Sequence, residues 1–127
     1  MNNARQQLVL AVVLLGLSIA FLQHLASMYY LYWIFWWYDI IMHLLGGAFV
    51  ALLFFWAHRA FPVLPMSRQL LFPVTLLVVL IIGILWEVFE YVTGSYGAVN
   101  YTLDTTLDLA MDIAGMMSAY ILFKRYV

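Results

Sequence analysis

Residues 70–91 read LLFPVTLLVVLIIGILWEVFEY, an apolar run that carries no charge until Glu87 and Glu90. A helix that spans a membrane needs about 20 mostly apolar residues, and this run meets that length. A carboxylate inside a bilayer is costly and is retained where it has a function. The stretch therefore predicts a membrane-spanning helix with two functional acidic groups at one end.

The composition of the whole chain extends this prediction. Of its 127 residues 68% are hydrophobic and 9% charged, with a mean hydropathy of +1.02, whereas soluble domains contain about 25% charged residues. We expect one integral membrane domain over residues 1–127. A net charge of −1 gives no basic face for nucleic acid, and the absence of cysteine excludes disulfides and thiolate metal sites.

Four apolar segments predict an all-α, four-helix membrane bundle. Their expected bounds are about 8–25, 39–58, 70–91 and 104–123. Prolines at 62 and 65 mark one loop, and glycines at 94 and 97 mark another. The first segment is expected to be a retained anchor rather than a cleaved signal peptide, because Leu-Ala-Ser at 25–27 is a poor cleavage site.

The basic residues predict the orientation of the bundle. Lysine and arginine favour the cytoplasmic side of short loops. One arrangement of four spans puts all five basic residues on that side, with both termini in the cytoplasm: Arg5, Arg59, Arg68, Lys124 and Arg125. We therefore expect a multi-pass protein of the inner (plasma) membrane whose acidic ends face outward.

The acidic residues and one histidine fall on three helix faces at similar depth. Spacings of three or four residues place each set on one face: Asp39 with His43, Glu87 with Glu90, and Asp104 with Asp108 and Asp112. Counted from the basic anchors at about 1.5 Å per residue, most of these groups lie about 24–33 Å up, and Asp112 lies deeper, at about 18 Å. The three polar faces must point at one another, because the alternative is charge in lipid.

So many carboxylates in one layer require protons or a cation between them. Carboxylate oxygens with an imidazole suit Zn, Mn or Fe, and with fewer histidines Mg or Ca. We expect one or two divalent ions, as in carboxylate bundles. The predicted ligands are Asp39, His43, Glu87, Glu90, Asp108 and Asp112.

Other residues allow simpler explanations. A role as the N-cap of the fourth helix explains Asp104 as well as a role in the acidic site does. His58 is expected only to form a hydrogen bond with a neighbouring group. For His24 two roles stay open, such a hydrogen bond and participation in the acidic site. Small residues are expected to let helices approach closely rather than bind a ligand. They are Gly46, Gly47, Ala48, Ala51, Gly115, Ser118 and Ala119.

An aromatic segment, residues 29–38, directly precedes Asp39. Eight of its ten residues are aromatic. Trp and Tyr settle at the headgroup level, which favours an interfacial belt. The alternative is an amphipathic or re-entrant lid that covers the acidic site and guides a lipid tail into it.

The order of these motifs resembles that of the VanZ-like small membrane proteins and, more closely, of the YjdF-type bacterial inner-membrane proteins. The resemblance rests on Tyr38-Asp39-x-x-x-His43 with Gly46-Gly47, then Trp86-Glu87-x-x-Glu90, then Asp108-x-x-x-Asp112 with Gly115. VanZ-like proteins are linked with glycopeptide-antibiotic resistance, and the YjdF type brings no assigned activity. This chain is more acidic than the VanZ-like pattern, with Ile40, Glu90 and Asp112 where Lys, Gln and Asn are common, which favours metal binding.

Two functions remain open at this stage. One is a metal-dependent hydrolase or transferase that acts on a lipid-linked substrate at the outer leaflet, with Glu90 as the catalytic base. The other is non-enzymatic cation binding, sensing, or service as an accessory subunit of a larger membrane complex. Self-association is expected under either function, because four short helices bury little surface by themselves.

Overall fold

The computed structural model describes residues 3–61, 66–94 and 100–124. Within them it forms one short and four long helices. They are α1 (Asn3–Tyr29), α2 (Leu31–Ile34), α3 (Trp37–Ala60), α4 (Arg68–Thr93) and α5 (Tyr101–Phe123). The loop positions Pro62, Pro65 and Gly97, and the basic residue Arg125, lie outside the described residues.

The four long helices confirm the all-α prediction. Each is long and apolar enough to cross a membrane. Each also extends beyond its predicted bounds, by up to five residues at an end, because aromatic and polar residues at the borders continue the helix. The short helix α2 was not predicted, since it lies inside the aromatic segment.

Helix α3 lies at the centre of the bundle. It packs most extensively against α5 and also contacts α1 and α4, while α4 packs against α5. At the end that carries the basic residues, an apolar core joins α1, α3, α4 and α5, with Leu8, Phe55, Leu71 and Met116 among its buried members. This core fixes the relative positions of the helices on which the acidic residues lie.

Two glycines allow α3 and α5 to approach closely. A Cβ on Gly47 would collide with the backbone of Asp112, and a Cβ on Gly115 would collide with the carbonyl of Leu44. The packing role predicted for these glycines is therefore confirmed. For Ser118 it is wrong, because that side chain is exposed and donates a hydrogen bond to Ala114 O within its own helix.

Candidate metal site

His43 is the centre of a buried polar group. Helix α3 places it one turn after Asp39, and its side chain is only 6% exposed. Its Nε2 atom lies 3.8 Å from Asp39 Oδ1 and 3.7 Å from Glu87 Oε1. One imidazole nitrogen thus faces carboxylates from two different helices.

The other imidazole nitrogen faces α5. His43 Nδ1 lies 3.4 Å from Asp112 Oδ1. This contact depends on the close approach of α3 and α5 at Gly47, one turn further along α3. A carboxylate that accepts from Nδ1–H selects the tautomer whose lone pair is on Nε2, the arrangement common for metal-binding histidines.

Helix α4 contributes Glu87, which α5 holds in place. Thr105 Oγ1 donates a hydrogen bond of 2.6 Å to Glu87 Oε2, and the Tyr101 hydroxyl donates one of 3.0 Å to the Glu87 carbonyl oxygen. Glu87 is 3% exposed. The threonine therefore occupies one carboxylate oxygen and orients the other, Oε1, toward His43.

Two overlapping trios have the geometry to hold a metal ion. One consists of Asp39, His43 and Asp108, and the other of His43, Glu87 and Glu90. In each trio one ligand atom per residue lies within 4.8 Å of the others. We call these five residues together with Asp112 the cluster. All six ligand candidates predicted from the sequence are thus brought together.

Four buried atoms of the cluster have no hydrogen-bond partner among the described residues. They are His43 Nε2, Glu87 Oε1, Asp108 Oδ2 and Asp112 Oδ2. Buried polar side-chain atoms in folded proteins almost always have partners. Lysine and arginine cannot supply them, because residues 69–123 and 6–58 contain neither. Cations bound by the two trios would supply partners for the atoms on His43, Glu87 and Asp108 and would offset the charge of the carboxylates.

Asp104 lies in the first turn of α5 and is partly exposed. The prediction that it caps the helix is wrong. Asn100 is the N-cap, and its side chain accepts a hydrogen bond from Leu103 N at 3.3 Å. Because the helix begins a turn early, Asp104 becomes a helical residue on the same face as Asp108. His24 and His58 belong to neither trio.

The aromatic segment sends two side chains inward and most of the others outward. Tyr38 is buried and donates to Leu22 O, and Tyr32 donates to Gln23 Oε1 at 2.6 Å, which ties α2 to α1. Burial, assisted by the nearby Asp39 carboxylate, raises the pKa of the Tyr32 phenol, so that it remains a donor. Trp33 and Trp36 are 68% and 78% exposed, as expected of an interfacial belt.

A cavity of about 300 Å³ adjoins the cluster. Asp39 and His43 line it near the acidic end, Asp112 lines it at the level of Gly47, and Gly46 also lines it rather than a helix interface. Its remaining walls are largely apolar and come from α1, α3 and α4. The cluster can therefore be reached by a molecule larger than a metal ion.

Several contributing residues escaped the sequence analysis: Thr105, Tyr101, Gln23 and Tyr32. A signal existed for Thr105, because it precedes Asp108 by three residues and so shares its helix face. Gln23 and Tyr32 gave no such signal, since their contact joins two helices across a turn. That turn contains Tyr30 in the left-handed conformation, with φ of 55°.

Fold and site together define a multi-pass helical membrane protein with a buried carboxylate and histidine cluster. Residues 3–127 match the family described as predicted membrane protein (DUF2238), and the chain belongs to that family. No curated protein and no solved structure matches the chain significantly.

Proposed function

We propose that this protein binds a divalent metal ion in the cluster. The observation that carries the proposal is the set of buried, unpartnered atoms on His43, Glu87 and Asp108, three residues that belong to the two trios sharing His43. A nitrogen donor with several carboxylate oxygens suits Zn, Mn or Fe best, and Mg or Ca less well. One ion suffices at Nε2, and the surplus of carboxylates would accommodate a second.

The residues divide into ligands and two groups that position them. Asp39, His43, Glu87, Glu90 and Asp108 are the proposed ligands. The sequence pattern made Asp112 a ligand too, but its position on the Nδ1 side supports a different role, in which it holds the imidazole so that Nε2 faces the ion. Thr105 would do the same for Glu87.

Thermal unfolding of the purified protein with and without added metal tests the binding proposal. An ion at a hundredfold excess over its Kd stabilises the folded state by about 2.7 kcal/mol. We expect that shift in the parent and in His24→Ala, whose histidine is exposed, and its loss in His43→Ala. An equal shift in both variants would mean that the metal binds elsewhere.

We further propose hydrolysis or group transfer on a lipid-linked substrate as the activity of this site. The surplus of carboxylates and the adjoining apolar cavity support it. A bound cation would act there as a Lewis acid and activate water. With the ion in the trio of Asp39, His43 and Asp108, Glu90 would be free to take up the proton, because it does not belong to that trio and is partly exposed.

This activity is tested by release of inorganic phosphate from phosphatidic acid or an isoprenoid diphosphate in detergent micelles. The expected result is turnover that stops on chelation and falls in Glu90→Gln by about 10²–10⁴-fold, the typical contribution of a general base. Turnover that survives chelation would exclude the metal-dependent mechanism.

A non-enzymatic cation-binding, sensing or accessory role is the second candidate. Its support is that no polar pathway continues from the cluster toward the basic end within the described residues. There Thr75 is buried and donates a hydrogen bond to Leu71 O, and the neighbouring side chains form the apolar core. This favours a closed site over a transport pathway. Much of α1 is exposed, which supports self-association or a larger complex.

We also propose an inner-membrane location with both termini in the cytoplasm, from the distribution of basic residues. Kinship with VanZ-like and YjdF-type proteins is a further proposal, and it is supported by the order of the motifs in α3, α4 and α5.

A further inference from the structure

The cavity beside the cluster is mostly apolar, and most of its polar lining residues lie toward the acidic ends of the helices. Along α3 its lining runs from Asp39 to Val50, about 16 Å at the rise of an α-helix. Gln23, Tyr32, Asp39 and His43 contribute to the wall near the acidic ends of the helices. Beyond them Asp112 is the one charged lining residue among those that the structure describes, and the rest of the wall consists of glycines and of aliphatic and aromatic side chains.

The two flanking walls of the cavity come from α1 and α4. Both helices pack against α3, yet they form no extensive interface with each other. At the basic end the buried core, which includes Leu8 and Leu71, closes the space between them. Toward the acidic end, Ile19 on α1 and Ile82 on α4 both line the cavity. Because their helices form no extensive interface, we infer that the cavity opens between them, sideways into the region of the bilayer hydrocarbon.

The volume of the cavity and the polarity of its lining indicate which kind of molecule it can hold. A volume of about 300 Å³ is at the lower end of the range of about 300–1,000 Å³ for ligand pockets, which suits one hydrocarbon chain rather than two. An apolar molecule that enters sideways from a bilayer is a lipid chain. The sequence offers no lysine or arginine on α3, α4 or α5 near the acidic end, so that the positive charge for an anionic headgroup would have to come from a bound cation.

We propose that the cavity takes one hydrocarbon chain of a phospholipid, whose phosphate group coordinates the cation held by the cluster. This inference rests on the metal binding proposed above. It assigns the apolar wall to chain recognition and the cluster to headgroup recognition. The Tyr32 hydroxyl, which donates a hydrogen bond to Gln23, lines the polar part of the cavity beside the headgroup.

Photolabelling with a phosphatidic acid that carries a diazirine in one acyl chain tests the proposal. The reconstituted protein is irradiated, and labelled peptides are mapped by mass spectrometry. We expect label on Phe49 and Val50, which line the cavity and are partly buried. Excess unlabelled phosphatidic acid should compete for this label, and chelation should reduce it. A diacylglycerol with the same chain but no phosphate should label these residues weakly.

Two adjacent isoleucines give a matched pair of variants. Ile82 lines the cavity and is 44% exposed, while Ile81 does not line it and is 49% exposed. Ile82→Trp should reduce the label on Phe49 and Val50 to background, and Ile81→Trp should leave it as in the parent. Equal labelling in the two variants would overturn the proposal, as would label that is insensitive to chelation and equally strong with diacylglycerol.

Metal content measured on the same preparations separates the two proposals. Bound metal without competed label on Phe49 and Val50 would overturn the phospholipid inference and leave metal binding intact. Absence of metal from the metal-loaded parent would overturn the proposed function and, with it, the role of the phosphate. Competed, chelation-sensitive label in a metal-loaded parent would support both.

Discussion

The neighbouring glycines Gly46 and Gly47 should respond in opposite ways to the same substitution. A Cβ on Gly47 would collide with the carbonyl oxygen of Asp112 and lie 2.6 Å from its Cα, where ordinary contact begins at 3.4 Å, so that α3 and α5 would have to separate by about 1 Å or more. A Cβ on Gly46 would meet only Asp112 Oδ1, at 4.0 Å. We therefore expect Gly47→Ala to destabilise the fold by about 1–3 kcal/mol, the usual cost of overpacking. Gly46→Ala should be neutral or stabilising by about 0.5–1 kcal/mol.

The separation of α3 and α5 should also weaken metal binding at the cluster. Widening the 3.4 Å contact between His43 Nδ1 and Asp112 by that amount breaks it as a hydrogen bond. Loss of such a positioning contact typically lowers metal affinity by about 10–100-fold. The assay is thermal unfolding over a metal titration, which gives both stability and affinity. If Gly47→Ala matched Gly46→Ala in both quantities, the close packing of α3 on α5 would not control the site.

Two further predictions concern the support of Glu87 and the topology. Thr105→Val removes the hydrogen bond to Glu87 Oε2 and should weaken metal binding by about 10–100-fold in the same titration. Thr106→Val is its control, because Thr106 is exposed and donates only to Thr102 O within α5, and similar losses in both variants would contradict this role. For the topology, a single introduced cysteine is the only thiol that a maleimide can label, because the chain itself contains no cysteine. In spheroplasts a membrane-impermeant maleimide should label Thr102→Cys at once and Asn3→Cys only after lysis, and the reverse pattern would refute the predicted orientation.

Much of the helical architecture follows from the sequence alone, because the physics of a bilayer leaves few choices. A charge-free run such as residues 70–86 can only be a spanning helix, and carboxylates at its end must turn toward one another. The convergence of Asp39, Glu87 and Asp108 on one layer therefore needed only the rise per residue and the basic anchors.

The side-chain contacts within the cluster depend on how each helix is rotated about its own axis. The spacing of residues along one helix does not determine that rotation. Asp112 shares a face with Asp108, yet the crossing of α3 and α5 places it on the Nδ1 side of His43. The N-cap of α5 is a local example of a feature that the sequence alone does not determine. Asn100 and Asp104 are both good N-caps, and the choice of Asn100 moves Asp104 into the helix.

The most direct test of metal binding is elemental analysis by mass spectrometry of detergent-purified protein, before and after chelation, beside the Asp108→Asn variant. Asp108 is 1% exposed, and one of its oxygens is among the unpartnered atoms. We expect at least one Zn, Mn or Fe ion per chain in the parent, removed by chelation and lost in the variant. A parent without metal, or a variant that retains as much as the parent, would contradict metal binding at the cluster.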